Sequence, residues 1–505
     1  VIRHEVRVHP SAANLPAGRQ LAWKLAELAQ LPAIDDDVAE IVAARIIDNA
    51  GVALAALNRK PVAAARAMAL ANPRRGGATL FGLPAGTTVG AEWAGWANAT
   101  AVRELDFHDT FLAADYAHPG DSIAPLLAVA QQTGRDGAAL ARAIAVAYEV
   151  HVALVKAISL HRWKKDHVAH LCPATVVGIG RLLDLPVPVV YQAVNQAVHL
   201  AFSTRQSRKG VISSWKAYVP GFSAKLAIES VDRAMRGEAS PSPIYEGEDS
   251  AIAWMLGGPE TVYEVSLPAL GERPRAIQET YTKAHSAEYQ AQALIDLALD
   301  LRTGLDLAAV EEIVVHTSHH THAVIGSGAN DPQKYDPDAT RETLDHSLPY
   351  ILAVALEDGR WHHESSYTRE RAHRPSTVAL WRKIRTVEDP AWTRRYHEAD
   401  PAQRAFGGRL EVRLRGGKTV DSELAVADAH PNGRRPWRLA DYEGKFAGLT
   451  GELLERGEAT RFLDAARRVA SLSAEEVRLL NPVLPAGRVA PDRPTGEGIL
   501  DYGLT

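Results

Sequence analysis

The chain has 505 residues, about three times the length of an ordinary domain, and a single cysteine, Cys172. One thiolate cannot hold a cubane iron–sulfur cluster, close an internal disulfide or build a thiolate zinc cage. Lys plus Arg number 56 against 61 Asp plus Glu, a net charge of −5 that carries no global field for nucleic acid or an anionic membrane.

From residue 15 to 256 the sequence is Ala-rich and reads as successive helices. Asp35, Asp36 and Asp37 supply a cap and negative charge for a helix whose apolar positions Val38, Ile41, Val42 and Ile46 recur at helical spacing. Segments 89–105, 137–158, 174–183, 187–202 and 221–235 repeat the pattern, with Pro- or Gly-marked breaks such as His118-Pro119-Gly120 and Leu185-Pro186. After a further helical stretch at 288–301, the run 311–317 has strand composition, 348–356 and 377–384 read as helices, and 410–414 with 420–426 flank Gly416-Gly417 as a hairpin. Helix returns at 443–470, and from Pro485 onward Pro and Gly predict surface coil.

The predicted fold is mainly α with an α+β part. A large all-helical domain over residues 1–278 is completed by 429–505, and a smaller α+β lid domain occupies 279–428. No stretch approaches the ~18 uncharged apolar residues of a membrane helix. Segment 1–9 carries Arg3 and Arg7 without the apolar core of a secretory signal, so a cytoplasmic setting is expected.

The densest polar segment runs from Arg103 to Asp121. If the preceding helix continues, Asp106 and Thr110 share a face, and the following loop can fold His118 beside them, bringing carboxylate, hydroxyl and imidazole together for proton transfer. The competing reading is a set of solvated caps and loop acids. A second group, Arg205, Arg208, Lys209 and Lys216, lies between two apolar helices, where Ser213 or Ser214 could cap the next helix; it reads as an anion site or a solvated basic loop. Lys283 and His285 fall at the border of the α+β part, and Tyr350 stands in the first turn of an apolar helix, either packed or aimed at an interdomain cleft.

Three patterns are expected to be decoys. His316-Thr317-Ser318-His319-His320-Thr321-His322 has no acidic or thiol ligand at metal spacing, so no metal is expected. Gly417-Lys418-Thr419 lacks the upstream glycine of a phosphate loop, and Gly178-Ile179-Gly180 lies inside a helical run.

Together, Glu104–Thr110, Asp166–His170, Ser203–Gly210 with Ser213–Lys216, Tyr245–Asp249, Ser318–His322 and Arg341–Tyr350 make the whole chain resemble the MmgE/PrpD family, in its dehydratase branch. The resemblance implies a helical domain with an α+β lid, a homodimer, and removal of water from 2-methylcitrate to give 2-methyl-cis-aconitate in propionate breakdown, without cofactor. It implies catalytic roles for Asp106, Thr110, His118, Lys216 and Tyr350, and substrate contacts from Arg205, Arg208, Lys209, His170, Lys283 and His285. Related cis-aconitate decarboxylases carry a histidine where Cys172 stands here. The implied partner is a small tricarboxylate. Neither nucleic acid nor membrane is expected. Alternatives are citrate dehydration, cis-aconitate decarboxylation, or a non-catalytic tricarboxylate-binding scaffold.

On this expectation Lys216 with Arg205 or Arg208 binds carboxylates, Asp106 and His118 form an acid–base pair, and Thr110 and Tyr350 serve the leaving oxygen. Lid closure would bring Tyr350 in.

Overall fold

The computed structural model describes residues 1–209, 212–398, 400–490 and 498–501. The Asp36–Ala56 helix begins where the acidic run stands, with Asp36 and Asp37 in its first turn against the positive end of the helix dipole. Helices Ala91–Glu104, Ile123–Thr133, Gly137–Ala157, Val168–Leu182, Val187–Ala201 and Trp215–Met235 follow. Their Ala-rich faces allow close approach. At Gly221 a Cβ atom would lie 2.6 Å from Thr100 Oγ1, so only glycine lets the Trp215–Met235 helix seat against Ala91–Glu104. That contact matters because one helix carries Lys216 and the other ends beside Asp106.

Two large apolar cores form, and a smaller cluster joins Phe111 and Val152 to Tyr289, Tyr396 and Phe406. The first gathers residues from Val6 to Ile277 and takes in Tyr442, Phe446 and Phe462 from the returning chain; the second is built from residues between Ala287 and Val412. The protein is mainly α with an α+β part, as expected. The α+β unit holds a four-stranded sheet in the order Thr419–Leu424, Gly408–Leu414, Val310–Thr317, Ile384–Glu388. The first three strands pair antiparallel, and Ile384–Glu388 lies parallel to Val310–Thr317 with Ile384 opposite Ile313.

Several expected elements change. The helix expected over 377–384 covers only Pro375–Trp381, and Ile384 then opens a strand, with Ile384 and Thr386 buried and Arg385 exposed between them. The expected 443–470 helix divides into Leu439–Thr450 and Arg456–Arg467. The strands Ile2–Arg7 and Val262–Leu267 pair antiparallel within a stretch read as helical or uncommitted. Of the coil expected after Pro485, residues 491–497 and 502–505 lie outside the described residues, as does Gly210 of the basic loop. Among the described residues one helix, Gly137–Ala157, is long and apolar enough to cross a membrane, and 83% of its apolar window is buried inside the protein.

Candidate active site

The Ala91–Glu104 helix stops one residue after Arg103, and this decides the site. Asp106 takes a left-handed conformation at φ 50°, so the helix does not carry on to Thr110 and the expected shared helical face does not form. Aspartate tolerates this region better than most side chains. The turn lets Arg103 Nη1 donate back to Asp106 Oδ1 at 2.7 Å. Thr110 instead pairs its backbone with Tyr281 and donates its hydroxyl to the Ala117 carbonyl at 2.9 Å.

His118 is placed by the same loop. Its Nδ1 lies 2.9 Å from the Asp109 carbonyl, which can only accept, so Nδ1 carries the hydrogen and Nε2 keeps a free lone pair. Nε2 is 3.9 Å from Asp106 Oδ1. Burial, then the charges of Arg103 and Lys283, hold the His118 imidazole well below its ordinary value despite Asp106, so it is neutral.

Three cations converge on Asp106. Besides Arg103, Lys283 Nζ donates to Oδ1 at 2.5 Å, and Lys216 Nζ is 3.8 Å from Oδ2. Burial alone would raise this carboxyl, but Arg103, Lys283 and Lys216 outweigh it and hold Asp106 well below the usual carboxylate range. Lys216, fully buried in the first turn of its helix, also donates to Asp345 Oδ2 of the α+β unit at 2.8 Å. Asp345 is in turn in contact with His346 Nδ1, and it too is held low: Lys216 and His346 overcome its burial.

A cavity opens between the two cores, lined by Arg103, Asp106, Thr110, Tyr116, His118, Arg205, Arg208, Lys283, Glu288, His320 and His346, with apolar neighbours. Three arginines and Lys283 against two carboxyl groups give it a wall whose charge suits a polyanion. The carboxylate of Asp345, that of Asp106 and the imidazole of His346 bring ligand atoms within 4.8 Å of one another. Arg103, Lys216 and Lys283 already neutralise these carboxylates, so the donor set suits an anionic substrate better than a divalent ion. A larger cleft of about 360 Å³ lies between the Asp36–Ala56 helix and residues 429–442, but it contains no histidine to act as a base.

Not every expected residue joins the cavity. Tyr350 is fully buried in the second core, where its hydroxyl donates to the Ser366 carbonyl at 2.6 Å and its ring packs on Trp381. The reason is local. Ser347 caps the Leu348–Asp358 helix, which turns Tyr350 inward and leaves the preceding Asp345 and His346 at the interface. His170 bonds the Ile158 carbonyl, His285 bonds Asp296, and Lys209 is exposed on the basic loop; none of them lines the cavity. Ser213 Oγ, rather than Ser214, accepts from the first helical amide, that of Trp215. Arg205 and Arg208 do line it, the first in contact with Tyr116 and His161, the second held by Asp166 at 3.1 Å. Of the His-rich segment only His320 reaches the cavity; His316 and His319 pair with Glu411 and Glu388, and His322 with Thr386. Cys172 is buried and burial pushes its thiol up to about 12.

Sequence reasoning missed Arg103, Asp345, His346 and Glu288 as cavity or near-cavity groups. Each sits three to five residues from a residue that was chosen.

Models of the MmgE/PrpD N-terminal and C-terminal domains match residues 19–264 and 285–471. The chain belongs to the MmgE/PrpD family. This MmgE/PrpD chain is 28% identical over 343 residues to the 2-methylcitrate dehydratase of Cupriavidus necator, covering 64% of this chain and 67% of that protein. It is 27% identical over 342 residues to the 2-methylcitrate dehydratase of Salmonella typhimurium, covering 63% and 66%. With the mitochondrial 2-methylcitrate dehydratase of Yarrowia lipolytica it shares 26% over 368 residues, 67% of this chain and 65% of that one. The matches therefore span about two thirds of each relative's length.

Proposed function

We propose that this MmgE/PrpD chain is a hydro-lyase that removes water from 2-methylcitrate to give 2-methyl-cis-aconitate, using side-chain acid–base chemistry rather than an iron–sulfur cluster. Its relatives carry that activity in their names, and the single cysteine rules out the cubane cluster by ligand count. The observation that carries the reading is the neutral His118 with Nε2 free beside Arg103, Arg205, Arg208 and Lys283 in one cavity.

Dehydration requires loss of a weakly acidic proton next to a carboxylate, with negative charge growing on the carboxylate oxygens. Arg205, Arg208 and Lys283 supply fixed positive charge to those oxygens; Arg forks suit carboxylates. His118 Nε2 takes the proton. A bound polyanion offsets the Arg103 and Lys283 charges that, after burial, depress this imidazole, and so raises its basicity. Asp106 is a poor base, because three cations hold it ionised, and it acts by anchoring Lys283 and Lys216. Thr110, whose hydrogen is committed to Ala117, offers only lone pairs. In this reading residues 279–428 form a lid whose Asp345 and His346 replace Tyr350 at the interface; two separate apolar cores support that division.

The test is turnover of 2-methylcitrate followed by alkene absorbance, before and after chelation. Retained turnover is expected. Absence of alkene formation, or release of CO₂ in its place, would overturn the proposal. One methyl group is worth only about 1–3 kcal/mol of discrimination, so measurable activity on citrate is compatible with it.

A further inference from the structure

We infer that Glu288 is the general acid that protonates the departing hydroxyl, an assignment that rests on the hydro-lyase reading above. The cavity has two carboxyl groups in its wall, and their surroundings differ in kind. Asp106 has Arg103 at 2.7 Å, Lys283 at 2.5 Å and Lys216 at 3.8 Å. Among the described residues Glu288 makes no ion pair within 4 Å. Its bond is to its own turn, where the Gln290 amide donates to Oε2 at 2.7 Å and caps Tyr289–Ala291. With its side-chain amide turned toward Glu288, Gln290 also donates its nitrogen to both Glu288 carboxyl oxygens and accepts from His320 Nε2 at 3.2 Å on its own oxygen.

The charged groups facing Glu288 come from three directions. Lys283 lies on its own segment, Asp106 at the end of the Ala91–Glu104 helix, and Asp345, Lys334 and Tyr396 on the α+β unit. Burial pushes the Glu288 carboxyl up to about 7; Lys283 opposes this only in part, and Asp106 and Asp345 add to it. Two carboxyls in one cavity whose environments drive them apart are the signature of an ionised group and a proton donor.

The step balances with these groups alone. His118 Nε2 accepts the proton from the carbon beside the carboxylate, and the C–H electron pair becomes the new C=C bond. The C–O bond breaks with its pair on oxygen, and the Glu288 proton completes the water molecule. Glu288 ends as carboxylate and His118 as imidazolium, and proton exchange with solvent restores both.

The experiment compares the wild type with Glu288→Gln and Glu288→Asp by the pH profile of kcat/KM for 2-methylcitrate, which reports the free enzyme. Glutamine retains one oxygen to accept from the Gln290 backbone amide, replaces the other by a donor and carries no transferable proton. The wild type is expected to lose kcat/KM above about pH 7. Glu288→Gln should lower kcat by about 10²-fold or more and abolish that alkaline limb, while Glu288→Asp keeps a limb. A Glu288→Gln enzyme within about threefold of wild type, or one with the alkaline limb unchanged, overturns the assignment alone. If Glu288→Gln fails to fold, the profile of Glu288→Asp decides: loss of the limb while the acid remains overturns it. A wild type that forms no alkene from any tested 2-hydroxy tricarboxylate overturns both this assignment and the reading beneath it.

Discussion

Lys283 Nζ lies 2.5 Å from Oδ1 of Asp106 and 2.8 Å from that residue's carbonyl oxygen, so one buried ammonium holds both the side chain and the left-handed backbone turn of Asp106. The pair ties the end of the Ala91–Glu104 helix to the segment that leads into the α+β unit. Residues in unusual backbone conformations persist where their surroundings over-determine them.

Asp106→Asn should therefore destabilise the protein more than Lys283→Met. The first leaves three cations facing a neutral amide, whereas after the second Asp106 still has Arg103 at 2.7 Å. Breaking a buried charge pair from one side costs about 3–5 kcal/mol, and Asp106→Asn should reach that range. Urea midpoints measured on both variants decide it, and the reverse order would remove Asp106 from the centre of the network.

His118→Gln should lower kcat/KM by about 10²–10⁴-fold with little change in the unfolding midpoint. In the wild type the acid limb of kcat/KM, corrected for substrate ionisation, should fall below the ordinary histidine value. The sign follows from the direction of the shift: a base must be unprotonated to act, and burial with Arg103 and Lys283 keeps His118 unprotonated to lower pH. An acid limb at or above about 6.5 would speak against His118 as the base.

Tyr350→Phe should leave kcat within about threefold of wild type and cost about 1–3 kcal/mol of stability, since the Ser366 carbonyl loses a buried donor. A large drop in kcat with stability unchanged would return Tyr350 to the chemistry.

Cys172 should resist thiol reagents in the folded protein. Its sulfur is fully buried, makes a weak bond to the Ser223 carbonyl at 3.6 Å, and is pushed up to about 12 by burial. Labelling by iodoacetamide at pH 8 should require denaturant, and activity should survive the reagent without it. Rapid labelling of the native enzyme would contradict this.

Much of the architecture was legible in the order of residues because helices announce themselves locally. Val38, Val42 and Ile46 at helical spacing, and the apolar runs at 137–157 and 187–201, carry the pattern within a few turns. The expected helix over 377–384 took in Ile384, the first residue of the Ile384–Glu388 strand, because so short a segment has too little periodicity to separate strand from helix; the strand exists because Val310–Thr317 offers a parallel edge. The helix end at Glu104 falls one residue short of the expected 89–105 segment, but the left-handed turn at Asp106 was not legible, since no glycine marks it.

Composition alone gave one thiolate, fewer than a cubane cluster needs, and the motif around Asp106 and His118 was visible in one segment. Tertiary structure decided the electrostatics. Lys283 is 177 residues from Asp106, and Lys216 is 129 from Asp345. The charge state of a carboxyl depends on which cations stand within a few ångströms in a low-dielectric cavity, a through-space quantity that spacing along the chain does not encode. That is why Asp106 and Glu288, two ordinary acids in the sequence, become an ionised anchor and a proton donor only once the two cores close on one cavity.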